Sequence, residues 1–163
     1  MFELKSLSRT AIPAALAQAE RYRLLNEPAE AESICLDILR IEPDHQDALV
    51  TLVLALTDQF PDTRATMEAD KVVVRIPDEY KRLYYTGIVR ERRGKAVLRS
   101  DRPGTGHSVQ EWLLEAMSCY ERAEAIRPAE HDEAILRWNT CARLLMTIPA
   151  TRPDQEFTAI QSE

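Results

Sequence analysis

Residues 31–43 read AESICLDILRIEP, residues 65–77 read ATMEADKVVVRIP, and residues 116–128 read AMSCYERAEAIRP. Each is an amphipathic run that opens on alanine and closes on proline. Pro43 and Pro77 stand 34 residues apart, and Pro77 and Pro128 stand 51 apart, one such period plus 17. Eight residues before the prolines are Cys35, Ala69 and Tyr120; five before them are Ile38, Val72 and Ala123. Upstream of the first run, Ala19 and Tyr22 extend the same spacing. A fixed period of about 20–50 residues is the mark of a repeat array, in which each unit buries its apolar face against the next.

The flanking residues read as helices. Residues 12–25 form the first, with Pro13 tolerated in its first turn. Asn26-Glu27-Pro28 breaks it, and Pro28 opens a second over about 28–41. Pro43 closes that helix, because proline disfavours helical geometry in the residue before it. Residues 45–59 give a third helix, with Ala48, Leu49, Leu52, Val53 and Leu56 at helical spacing. Pro61 is expected to open a fourth, running to about Arg75. Residues 72–76 are β-branched enough for a short strand, but the 34-residue register argues for helix. A fifth helix runs from about 78 into the 90s. A sixth begins at Ser108, where Glu111 completes a capping box, and ends near Arg127. A seventh, about 130–146, carries Trp138 and Cys141 on its apolar side and covers the last pair.

These positions resemble the tetratricopeptide repeat family, in the form of its small bacterial members. The likeness rests on Ala19, Tyr22, Ala31 and Pro43 in the first unit and on Ala116, Tyr120, Ala123 and Pro128 in the third, where Gly87 and Leu83 also stand at family positions. The middle unit keeps Ala65, Ala69 and Pro77, with Val53 in place of a small residue. The resemblance covers about residues 12–146. It implies an all-α fold, an α-solenoid of about three helix-turn-helix repeats plus a C-terminal capping helix, seven helices in all. The units would be 12–45, 46–79 and 80–130, with an insertion near 94–112 and a cap over 130–146. Together they form one domain, 1–147, followed by a flexible tail, 148–163.

Composition narrows the function. The chain has 163 residues and a formal charge of −6, so a dedicated nucleic-acid binder is not expected. Four glycines and an aromatic fraction of 6% disfavour barrels, sandwiches and Gly-rich nucleotide folds. No apolar run approaches the ~18 residues of a membrane span, and residues 1–10 carry no signal-peptide core; the expected setting is cytoplasmic. Cys35, Cys119 and Cys141 are an odd, widely spaced set that reads as reduced, packed thiols. His45, His107 and His131 are isolated, and no pair has metal-ligand spacing. Gly104-Thr105-Gly106-His107 follows no strand and lacks the ending of a phosphate loop, so it reads as a turn. Neither an enzyme nor a cofactor is expected.

Binding is what remains. In an array of helix pairs the first helix of each pair lines the concave side. The resemblance implies that Leu16 and Glu20, then Val50, Leu54 and Asp58, then Lys81, Tyr84, Ile88 and Arg92, and finally Ile135, Asn139 and Arg143 point there. Many family members use this surface to clamp the carboxyl-terminal peptide of a chaperone. At those places this chain has Leu16, Glu20, Thr51, Lys81 and Tyr85, of which only Lys81 fits. The expectation is a non-catalytic adaptor that takes an apolar or amphipathic peptide or helix in its groove. The alternative is a structural module that closes its groove by homodimerisation or with its own tail.

Two further features have open readings. The 17 extra residues lengthen the fifth and sixth helices around Val97, Leu98, Val109, Trp112 and Leu113, with a loop at 100–107; this is either a tolerated insertion or an arm that contacts a partner. From Tyr80 to Arg102 the chain carries eight basic and two acidic residues. That stretch is either a patch for an acidic or phosphate-bearing ligand or a face paired with neighbouring carboxylates.

Overall fold

The computed structural model describes residues 1–100 and 104–149. Among these residues the chain is all-α: α1 (Ile12–Leu24), α2 (Pro28–Ile41), α3 (Gln46–Thr57), α4 (Thr63–Val73), α5 (Glu79–Arg99), α6 (Gly106–Ala125) and α7 (Glu133–Thr147), preceded by a 3-10 turn at Arg9–Ala11. The expected tail over 148–163 lies outside the described residues from 150 onward. Ile148 packs against the second core cluster. Of the expected loop at 100–107, residues 101–103 are likewise outside them, and α6 already covers Gly106 and His107.

The helix boundaries have local causes. Asn26 adopts a left-handed φ of 61° between α1 and α2, one of the few side chains that tolerate this region. His45 Nδ1 accepts the Ala48 N–H at 3.2 Å and caps α3, which gives this isolated histidine a structural task. Asp62 and Asp78 cap α4 and α5 by accepting the Ala65 and Lys81 N–H groups, each at 2.8 Å. Two expectations need correction. Pro61 does not open α4; it lies in the preceding turn, and the helix starts at Thr63, where the Asp62 carboxylate accepts the free Ala65 N–H. Ser108 does not cap α6; the helix begins at Gly106, and the cap position at Thr105 shows no side-chain cap bond. Residues 72–76 are the end of α4 and a turn, not a strand.

Each helix packs on the next in sequence, and α1 also meets α3, as α3 meets α5. Odd-numbered helices therefore share one face of the array. Two core clusters result. The first joins α1 to α4 with Val89 and Ala96 of α5; the second joins α5, α6 and α7. The repeating small residues sit where the helices come closest: Ala19, Ala31, Ala65, Ala69, Ala116 and Ala123 are all fully buried. At Gly87 a Cβ would stand 2.4 Å from Tyr120 Cε1, so glycine is the only residue that lets α5 and α6 approach here.

The 17 extra residues become a long helical pair. Val109 and Leu113 are buried and Val97 packs against them, while Gly94 admits Trp112 at close range. The basic stretch on α5 is mostly absorbed by carboxylates of neighbouring helices. Arg90 and Arg93 reach Asp70 at 2.9 and 2.8 Å, and Lys81 pairs with Asp47 at 3.5 Å. The Arg93 guanidinium also lies 4.7 Å from the Trp112 ring centroid and 6.0 Å from that of Phe60.

Candidate partner-binding face

Two hollows open on the face built by the odd-numbered helices. A slot of about 260 Å³ is lined by Tyr80, Lys81, Tyr84, Tyr85, His131 and Glu133, with Asp78 and Pro128 at its edge. The rings are arranged by helical spacing: Tyr80 and Tyr84, one turn apart on α5, lie nearly parallel at 14° with centroids 6.2 Å apart. Tyr85 meets Tyr84 edge-on at 5.0 Å, and His131 meets Tyr80 edge-on at 6.2 Å. Tyr80 Oη donates to Glu133 Oε2 at 3.1 Å and so ties α5 to α7. Burial and that carboxylate push the Tyr80 phenol up to about 12, so it stays a neutral donor.

The second hollow is a cleft of about 460 Å³ lined by Arg23, Thr57, Asp58, Glu91, Arg92, Lys95, Arg99 and Arg137, with Leu24 and Asn26 beside them. At its base Glu91 is fully buried. Its carboxylate accepts from Tyr120 Oη at 2.6 Å, from Arg137 Nη1 at 3.2 Å, and from Lys95 Nζ. Asp58 accepts from Arg23 Nε at 2.7 Å and from Arg92 Nη1. Arg92 also donates to Thr57 Oγ1 at 2.7 Å. Burial first, and the adjacent Glu91 charge second, hold the Tyr120 phenol far above its ordinary range.

The sequence-expected positions divide between these hollows and the packing. Lys81 and Tyr84 line the slot; Asp58 and Arg92 line the cleft. Leu16 and Val50 are half-buried against the first core cluster and Leu54 against the second. Glu20 and Arg143 are exposed, and Ile135 and Asn139 are half-buried on α7, but none of these four lines either hollow. Ile88 is corrected outright. It is 1% exposed in the second core cluster, because α6 closes over that side of α5. The expected continuous apolar groove is therefore an aromatic slot and a charged cleft. Tyr85 stood at a family clamp position and Lys95 in the basic stretch, whereas Tyr80, His131 and Glu133, and Arg23, Glu91 and Arg137, were not legible as site residues. The one available signal was spacing: Tyr80 with Tyr84, and Glu133 with Arg137, each stand one helical turn apart.

Among the described residues no group of three or more His, Cys, Asp or Glu is placed to hold a metal ion, and no helix is long and apolar enough to cross a membrane. Burial pushes the thiols of Cys35 and Cys141 up to about 12 and raises that of Cys119, which disfavours the thiolate. A thiol-reactive dye at pH about 8 is expected to label half-buried Cys119 first and the other two only on unfolding. Because the folded values of Cys35 and Cys141 are raised, their stability contribution is complete below about pH 9 and is lost as pH rises towards 12. The melting temperature should fall over that window, and less so in a Cys35→Ala/Cys141→Ala variant.

No family model, curated protein or solved structure matches the chain.

Proposed function

We propose that the chain is a non-catalytic protein-interaction module of tetratricopeptide type, an adaptor that takes a peptide or helix of a partner on the face formed by α1, α3, α5 and α7. The observation that carries this reading is the tyrosine slot. Three tyrosines and a histidine line a hollow that no side chain of the described residues fills. Aromatic side chains in a partly dry pocket are the usual anchors of protein recognition. Two charges of opposite sign in its lining, Lys81 on α5 and Glu133 on α7, would orient the bound segment. Three unpaired cysteines accord with a reducing, cytoplasmic setting.

The test is a single substitution. Tyr84→Ala removes a ring that contacts Tyr80, Tyr85 and Tyr120. It should leave the helical circular dichroism intact while weakening partner capture by about tenfold or more, as expected of an aromatic anchor. Undiminished capture by a folded Tyr84→Ala protein would remove the slot from the binding site. Ile88 cannot serve in this test, since a charge there would break the core. Light scattering on the same samples separates a heterologous partner from a second copy of the chain: a Tyr84-dependent dimer would assign the face to self-association.

A further inference from the structure

The cleft beside the slot has a charge imbalance that its own contacts do not remove. Five cationic side chains line it, and two carboxylates stand among them. Asp58 is shared by Arg23 and Arg92. Glu91 is shared by Lys95 and Arg137, and its second oxygen is taken by Tyr120 Oη. Arg99 has no carboxylate partner among the described residues and is exposed at the mouth. Arg92, Lys95 and Arg137 each keep between a quarter and about a third of their side-chain surface open to solvent. Among the described residues the cleft thus carries three more positive than negative charges, in a chain whose overall charge is −6.

We infer that this cleft binds an acidic protein segment, whose carboxylates sit over Arg92, Lys95, Arg99 and Arg137. A recess walled by protein focuses the field of such a cluster more than an open surface does. Guanidinium groups held by internal carboxylates are already oriented, so less side-chain entropy is lost when they take up a second acceptor. The ligand is a protein segment rather than a nucleic acid because the chain as a whole is acidic, with a net charge of −6. A duplex would carry its continuous phosphate charge across the acidic remainder of the surface. The inference rests on the reading of this face as a binding surface and adds the charge of what it takes. Slot and cleft lie along the same helix: Tyr84 and Lys95 are 11 residues apart on α5, a rise of about 16 Å, which an extended segment of about five residues spans.

The test uses the full chain and a fluorescein-labelled oligoglutamate of about eight residues, with its oligolysine counterpart as control, followed by anisotropy. Oligoglutamate should bind and oligolysine should not. Affinity should fall about tenfold or more between roughly 50 and 300 mM salt, as partly exposed charges are screened. Arg99→Glu breaks no ion pair among the described residues. It should weaken oligoglutamate about tenfold at low salt with an unchanged melting midpoint. Absence of binding, or binding indifferent to Arg99→Glu, overturns the inference. Displacement of the probe by micromolar inorganic phosphate would make the cleft a phosphate site and also overturn it. So would a large gain in affinity in an Asp154→Lys/Glu156→Lys chain, which would assign the cleft to the chain's own acidic tail. If oligoglutamate fails to bind while partner capture still depends on Tyr84, the charge assignment fails and the binding face stands.

Discussion

Glu91→Leu is expected to destabilise the protein by about 3 kcal/mol, the lower end of the range for breaking a buried ion pair. The carboxylate is fully buried and joins three helices: its own α5, α6 through Tyr120, and α7 through Arg137. Lys95 and Arg137 retain partial solvent access and can turn towards water when the carboxylate is lost, which holds the cost below that of a fully enclosed pair. Tyr120 has no such escape. It is wholly buried, and its hydroxyl would lose the carboxylate that accepts from it, at a cost of about 1–3 kcal/mol. Adding Tyr120→Phe to Glu91→Leu should therefore recover part of the loss. Denaturant titration of the two single variants and the double measures the coupling. Strictly additive effects would mean that the hydroxyl–carboxylate bond contributes nothing to stability.

Gly87→Ala should destabilise by about 2 kcal/mol, against the local preference of the helix. In an open helix alanine is favoured over glycine by about 1 kcal/mol. Here the added methyl would stand 2.4 to 2.9 Å from three atoms of the Tyr120 ring. That ring cannot yield: it is fully buried among the second core cluster and tied at its tip to Glu91. Overpacking of this kind costs about 1–3 kcal/mol or more, so sterics outweigh propensity. Tyr120→Leu combined with Gly87→Ala should be less destabilised than the sum of the two single variants, because the ring that causes the clash is gone. A melting temperature raised by Gly87→Ala alone would show that α5 and α6 can part at this point without cost.

Much of the architecture was legible because its determinants are local. The alanines at a fixed distance before Pro43, Pro77 and Pro128 mark close helix approaches, and they are fully buried as their size requires. The prolines and the Asn26 turn punctuate the helices at or near the expected points. The lengthening of α5 and α6 followed from Val97, Val109, Trp112 and Leu113 carrying apolar periodicity through the inserted stretch. The misreadings at Pro61 and Ser108 were also local. Each turned on which of several nearby groups satisfies the free N–H donors of a helix start, and neighbouring candidates look alike in sequence.

The candidate site was legible in part. Lys81, Tyr84 and Arg92 on α5 and Asp58 at the end of α3, which the resemblance placed on this face, line the two hollows, whereas Ile88 stands on the same helix as the first three and is buried because α6 covers it. In sequence Glu91 is one acid within the basic run Arg90-Glu91-Arg92-Arg93, which reads as a solvated charge. Its hydroxyl donor comes from 29 residues away and one of its cations from 46. The sequence by itself determined the helices, their order and the small residues that let them meet, because these depend on backbone propensity and side-chain volume within one or two turns. Tertiary structure alone decided that Glu91 is buried, that Arg90 and Arg93 are spent on Asp70, and that Arg99 is left over at the mouth of the cleft. Coulombic pairing depends on distances between helices, and those are set by packing, not by position along the chain.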